Sequence, residues 1–74
     1  MTPRQQRIAD FIERYWEENW TSPSIREIGR EIGLSSPSSV HVHLRAMVRK
    51  GILERKDVSE KRVLYRRHWS NDDR

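Results

Sequence analysis

The chain has no cysteine, which excludes disulfide staples and zinc–thiolate sites and suits a reducing compartment. Its three glycines are scattered, so no glycine-rich phosphate cradle of the P-loop or dinucleotide type is present. No apolar run approaches the roughly 18–20 residues that span a bilayer. The opening Met1-Thr2-Pro3-Arg4-Gln5-Gln6 lacks the apolar segment of a signal peptide, and the chain reads as soluble and intracellular. Hydrophobic residues are few, 34% of the 74, enough for one domain with a small core. A domain of this size buries only about 60% of its unfolded surface, which favours binding on the surface over enclosing an active-site cavity.

Charge is abundant, and it is unevenly placed. The net charge is +4. Residues 1–34 hold five Arg against six Asp/Glu, a net of −1, whereas residues 35–74 hold ten Lys/Arg against five Asp/Glu, a net of +5. Between 41 and 67 nine basic residues face three acidic ones. Clustering of this kind fits a face that meets a polyanion, nucleic acid foremost; a solvated basic surface is the plainer alternative.

Apolar spacing gives three helices. Thr2-Pro3-Arg4-Gln5 reads as a helix start, with Thr2 as cap and Gln5 completing a capping box. Ile8, Phe11, Ile12, Tyr15 and Trp16 form a stripe that carries the first helix to about Glu18, and Asn19 is the expected left-handed stop. A loop, Trp20-Thr21-Ser22-Pro23, follows. Ser24-Ile25-Arg26-Glu27 is a second capping box, with Ile25, Ile28 and Ile32 on one face and Gly33 as terminator. The third helix spans Ser36–Lys50, with Ser36 as cap, Pro37 in the first turn and Val40, Leu44, Met47 and Val48 inward. After Gly51 the period changes. Ile52–Arg55 and Arg62–Arg66 are expected to pair as a hairpin around the polar stretch 57–61.

The second and third helices and the tight turn between them fit a helix-turn-helix. On the third helix Ser38, Val42, Arg45 and Arg49 face outward, with Ser39 and His41 on the flanks. Small residues in the first turn let the backbone approach a groove floor. Val42 loses helix propensity without gaining burial, and a thymine methyl would give it a partner; alternatively it is an incidental surface valine. His41 and His43 diverge at i,i+2 on a helix, and with no cysteine or HExxH motif no metal site is expected. His43 leans toward the core side, as a structural partner for the first or second helix. The run Ser35-Ser36-Pro37-Ser38-Ser39 lacks a nucleophile elbow and an orienting acid, so capping explains Ser36 and catalysis is not expected. Trp16 and Trp20, with Phe11 and Tyr15, are expected to pack the core. Tyr65 and Trp69 are assigned to core or hairpin packing, with Trp69 as the anchor candidate of the polar tail.

The runs Thr2–Gln6, Ser24–Gly29, Ile32–Leu44 and Lys50-Gly51 together resemble the amino-terminal DNA-binding domain of the LexA repressor, in the version of Gram-positive bacteria. The likeness covers residues 2 to about 66. It implies a winged helix-turn-helix that binds a palindromic operator as a dimer and represses DNA-damage-response (SOS) promoters. It assigns base reading to Ser36, Ser38, Ser39, His41 and Val42. The wing between Arg55 and Arg62 would lie along the DNA backbone. Asn19-Trp20-Thr21-Ser22-Pro23 replaces the family's usual Asn-Gly-Tyr-Pro-Pro loop, and the chain ends where LexA continues into its self-cleaving, dimerising domain. The resemblance leaves either a domain excised from a longer protein or a stand-alone LexA-like factor; the polar ending Ser70-Asn71-Asp72-Asp73-Arg74 makes the stand-alone factor the expectation.

The expected fold is mainly α (α+β): a three-helix winged helix-turn-helix over residues 1–67, with a C-terminal two-stranded antiparallel hairpin as wing and a polar tail at 68–74. The expected partner is double-stranded DNA, held by weak or DNA-induced homodimers in the cytoplasm at the nucleoid. Neither a cofactor, a metal, a membrane nor a small-molecule substrate is expected. Arg45, Arg49, Arg55, Lys56, Lys61 and Arg62 are the expected phosphate contacts. The competing reading is a winged-helix protein-interaction module without DNA readout.

Overall fold

The computed structural model describes residues 2–60 and 62–67. Its elements run in the order α1 (Pro3–Asn19), α2 (Ile25–Ile32), α3 (Pro37–Arg49), β1 (Glu54–Ser59) and β2 (Arg62–Arg66). The two strands form one antiparallel sheet. Three helices and a hairpin in this order make a winged helix-turn-helix, as the periodicity predicts. Lys61, His68 and Trp69 lie outside the described residues.

Each helix start follows from its capping chemistry. Thr2 accepts the Gln5 backbone N–H at 3.1 Å, but Gln5 does not reach back to complete a box. Its side chain is instead drawn into the core, 5% exposed, with Oε1 unpartnered among the described residues. Both halves of the box form at α2: Glu27 N–H donates to Ser24 Oγ at 3.0 Å and Ser24 N–H to Glu27 Oε1 at 2.8 Å. Ser36 sits at the cap position of α3, yet its side chain makes no capping bond. Pro37, with its missing N–H and preset φ, is the stronger start signal there.

The ends differ from expectation in one respect. The left-handed residue that stops α1 is Trp20, φ 59, and not Asn19. That geometry swings the indole away from the core and leaves Trp20 81% exposed. Asn19 keeps to the helix and bonds the Tyr15 carbonyl at 3.2 Å. Gly33 stops α2 at φ 79, where a Cβ would be strained.

Ile8, Ile12, Ile28, Val40, Leu44 and Met47 make the centre of the core, each essentially inaccessible. Val48, Ile25 and Phe11 pack on it half-buried. The turn between α2 and α3 is set by a close backbone approach. Leu34 N–H donates to the Gly29 carbonyl at 2.8 Å. A Cβ on Gly29 would lie 2.8 Å from the Leu34 oxygen and 3.2 Å from Val40 Cγ2.

The first strand begins two residues later than expected and runs further. Ile52 and Leu53 are not in the sheet; their N–H groups bond the Met47 carbonyl at 2.9 and 3.3 Å, which turns Leu53 inward to 1% exposure. The strand then extends through the polar residues to Ser59, with a register shift between Asp57 and Ser59. β2 is tied to α1 and the loop behind it. The Trp16 indole N–H donates to the Tyr65 carbonyl at 2.7 Å in a buried bond, and Tyr65 N–H donates to Ser22 Oγ at 3.0 Å.

Gly29→Ala tests the close approach. Alanine gains about 1 kcal/mol of helix propensity, while forcing a Cβ into filled space costs about 1–3 kcal/mol. The urea midpoint is expected to fall. An unchanged or raised midpoint would mean that α3 is not held against Gly29.

Candidate nucleic-acid interface

The outward face of α3 follows from what its other face must bury. With Val40, Leu44 and Met47 in the core, the 100° step per residue turns Ser38, Val42, Arg45 and Arg49 to solvent, and all four are exposed. Val42 is 61% exposed. Ser36 and His41 are exposed as well, whereas Ser39 is half-buried. Among the described residues, no ion pair engages Arg45 or Arg49, so neither guanidinium is neutralised by a carboxylate.

Two clefts flank this face, and His41 lines both. The first, about 640 Å³, lies between α2 and the start of α3, walled by Arg26, Arg30, Ser35, Ser36 and Pro37. The second, about 760 Å³, lies between α3, the loop before α2 and the wing; Arg45, Arg55 and Arg62 converge on it with Thr21, Ser22 and Ser24. The structure thus brings five of the expected residues (Ser36, His41, Arg45, Arg55 and Arg62) to two adjoining clefts. Ser38, Ser39, Val42 and Arg49 line neither.

Sequence reasoning missed Arg26 and Arg30. They were hidden in a half of the chain whose charge nearly cancels. Their i,i+4 spacing, opposite the Ile28–Ile32 stripe, puts them on one side of α2. That side faces the start of α3, so Arg26 and Arg30 line the first cleft as Arg45, Arg55 and Arg62 line the second, with His41 common to both.

The wing residues are less free than those of α3. Arg55 pairs with Asp57 at 3.1 Å, with its side chain 49% exposed. Arg62 donates to Thr21 Oγ1 at 2.9 Å, which fixes the wing against the loop behind α1. Lys56 is exposed at the surface of β1 and is engaged by a neighbour. Within the second cleft Tyr15 donates to Glu27 at 3.2 Å. Hydrogen bonds from the Ser24 backbone, ahead of all other favourable effects, hold the Glu27 carboxyl below the usual range. Desolvation, then the Glu27 contact, pushes the Tyr15 hydroxyl up. Glu27 is therefore ionised and Tyr15 neutral near pH 7.

His41 and His43 do not converge. His43 is half-buried and lines a hollow with Thr2, Pro3, Arg4 and Arg7 at the start of α1, on the structural side assigned to it. Among the described residues no group of three or more His, Cys, Asp or Glu side chains could hold a metal, and no helix is long and apolar enough to cross a membrane.

Comparison with known proteins agrees with this geometry. The family model for the LexA DNA binding domain matches residues 1–61. The LexA repressor of Petrotoga mobilis is 44% identical over 59 residues, covering 80% of this chain and 29% of the relative. That of Thermobifida fusca is 51% identical over 55 residues, 74% of this chain and 22% of the relative. That of Pelotomaculum thermopropionicum is 41% identical over 64 residues, 86% and 31%. The chain thus spans less than a third of the length of these curated relatives. With the helix-turn-helix, the wing and the matched motifs in agreement, the chain belongs to the LexA DNA-binding domain family.

Proposed function

We propose that this domain is a sequence-specific, double-stranded-DNA-binding repressor. One copy occupies each half of a palindromic operator, with α3 in the major groove. It acts as a regulator by occupancy and not by catalysis. The observation that carries this reading is the outward face of α3: small, uncharged and unneutralised basic side chains, flanked on both sides by arginine-lined clefts. The helix is about 20 Å long at 1.5 Å per residue, which suits a groove about 12 Å wide.

Roles divide by chemistry. Ser36, Ser38, Ser39, His41 and Val42, in the first turns of α3, read base edges. Arg45 and Arg49, with Arg26 and Arg30 from α2, hold phosphates on either side. Arg55, Lys56, Lys61 and Arg62 follow the backbone along the wing. The domain covers residues 1–67, with 68–74 as a tail. Because one domain offers a single recognition helix, occupancy needs two copies paired on the operator.

Salt titration by fluorescence anisotropy separates these roles. Arg45→Ala is expected to weaken operator and scrambled duplexes alike and to flatten the log affinity–log salt slope by about 1. His41→Ala is expected to narrow the gap between the two duplexes, a discrimination of about 1–3 kcal/mol for one base contact. Equal losses on both duplexes for His41→Ala would remove it from the reading surface. Absence of salt-sensitive duplex binding by the intact domain at low ionic strength would favour the protein-interaction reading.

Val42 supplies a sharper test. Its methyls are exposed to solvent, and a thymine methyl in the groove would provide an apolar partner. Replacing that thymine by deoxyuridine removes one methyl, worth about 0.8 kcal/mol, or about fourfold in affinity. The loss is expected for the wild-type domain at one position of the half-site and is expected to vanish in Val42→Ala. A deoxyuridine penalty of the same size in both proteins would assign the methyl to another residue.

A further inference from the structure

Among the described residues the exposed large apolar side chains are Trp20, Val42 and Val58. Val58, 55% exposed, is the one that the wing carries. Its place in the hairpin is irregular. Asp57 pairs with Val63 and Ser59 with Arg62, so β1 has one residue more than β2 over this stretch, and Val58 is that residue. A bulge leaves the extra residue outside the ladder, sharpens the local twist and re-aims its side chain. The side chain re-aimed here is apolar, at a sheet edge where a charged residue is the usual occupant. The core does not use it: Val58 is neither in the buried cluster nor among the half-buried residues packed on it.

The surroundings of Val58 are continuous with the candidate DNA interface. Arg55 and Arg62, which bracket the bulge, line the second cleft together with Arg45 of α3. From 55 to 62 four basic residues (Arg55, Lys56, Lys61, Arg62) outnumber two acidic ones (Asp57, Glu60), a net of +2, and Asp57 is already paired with Arg55 at 3.1 Å. The Arg62–Thr21 bond at 2.9 Å and the buried Trp16–Tyr65 bond at 2.7 Å hold the hairpin in place. With α3 in a major groove, the adjacent minor groove is half a helical turn away, about 17 Å. The six residues of β1, at about 3.3 Å each, span a similar distance. A minor groove about 6 Å wide is too narrow for a two-stranded ribbon whose backbones alone lie about 4.8 Å apart. A single bulged side chain is narrow enough.

We propose that Val58 enters the minor groove beside the half-site and makes the domain select A·T base pairs there. The inference rests on the DNA reading of α3 and adds to it a second reader of different chemistry. The Val58 methyls lie against the groove floor, while the basic residues of the wing hold the phosphates on either side. On that floor A·T and G·C differ by one group, the guanine N2 amino. An apolar side chain cannot hydrogen-bond this amino group, and burying it unpaired is costly. A·T flanks are therefore preferred, and A·T and T·A are read alike because both show only acceptors. The selectivity lies outside the base pairs that α3 touches, and the residue responsible is one that neither the helix pattern nor the charge pattern marks.

The test uses the full chain and duplexes that carry its selected half-site between A·T flanks. Replacing a flanking adenine by 2,6-diaminopurine adds an amino group to the minor groove and leaves the major-groove edge unchanged. Scanned along the flank by fluorescence anisotropy, this change is expected to cost the wild type about fourfold in affinity at one or two adjacent positions, the worth of about one methylene kept from burial. Val58→Ala is expected to lose that penalty and to bind the unmodified duplex about fourfold more weakly than the wild type. Its melting temperature is expected to match the wild type, because Val58 lies outside the core, and it is expected to tell the half-site from scrambled DNA as well as the wild type does. A half-site still told from scrambled DNA with no flank position sensitive to the amino group, or with the same penalty in Val58→Ala, would overturn the proposal and leave the α3 reading standing. A wild type that does not tell the half-site from scrambled DNA would overturn the α3 reading, and the proposal with it.

Discussion

Everything that faces outward on α3 depends on how closely that helix lies against α2. The spacing is set where Gly29 has no side chain. The Leu34 carbonyl and a Val40 methyl occupy the space that a Cβ would take, and the Leu34 N–H closes back onto the Gly29 carbonyl. With the backbones this near, Val40, Leu44 and Met47 must all point inward. Helical geometry then leaves no choice about which residues point out. The outward face of α3 is thus a consequence of packing, and its chemistry is what the sequence places on the positions that packing leaves over.

The wing depends on a different tether. β2 would be a marginal two-stranded hairpin on its own. It is held by the buried bond from the Trp16 indole to the Tyr65 carbonyl and by the Ser22 hydroxyl, which accepts the N–H of the same residue. Losing such a buried partner costs about 1–3 kcal/mol, a large share of what a small domain has. Arg62 adds a third tie to the same loop through Thr21. The loop between α1 and α2 therefore positions the wing from one side while its far end starts α2 through the Ser24–Glu27 box. Arg45, Arg55 and Arg62 converge on one cleft because both elements are pinned to this short connection.

Much of this was legible in the residues. The capping box at Ser24, Gly33 as terminator and the inward stripe of α3 are local signals with a mechanical cause, and the structure has them where the spacing puts them. What was not legible depended on tertiary context. Gln5 has the composition of a capping-box residue, but its position on the buried stripe draws it inward. Trp20 has the composition of a core residue, but it lies one step past the helix end, where the chain turns left-handed and carries the ring outward. Ile52 and Leu53 read as strand because they are β-branched or apolar. Hydrogen bonds back to Met47 make them the hinge that turns the chain into the wing. Arg26 and Arg30 escaped notice because a charge sum over half the chain hides which face of a helix carries the charge.

The central claim is that the exposed face of α3 distinguishes one duplex sequence from another. Selection of bound sequences from a pool of random duplexes, with the wild-type domain and the His41→Ala variant in parallel, measures this most directly. Enrichment of one short half-site by the wild type is expected, with at least one position of that site relaxed in the variant. Recovery of unenriched sequences by the wild type, or of the same half-site with unchanged stringency by the variant, would contradict the assignment of base reading to this face.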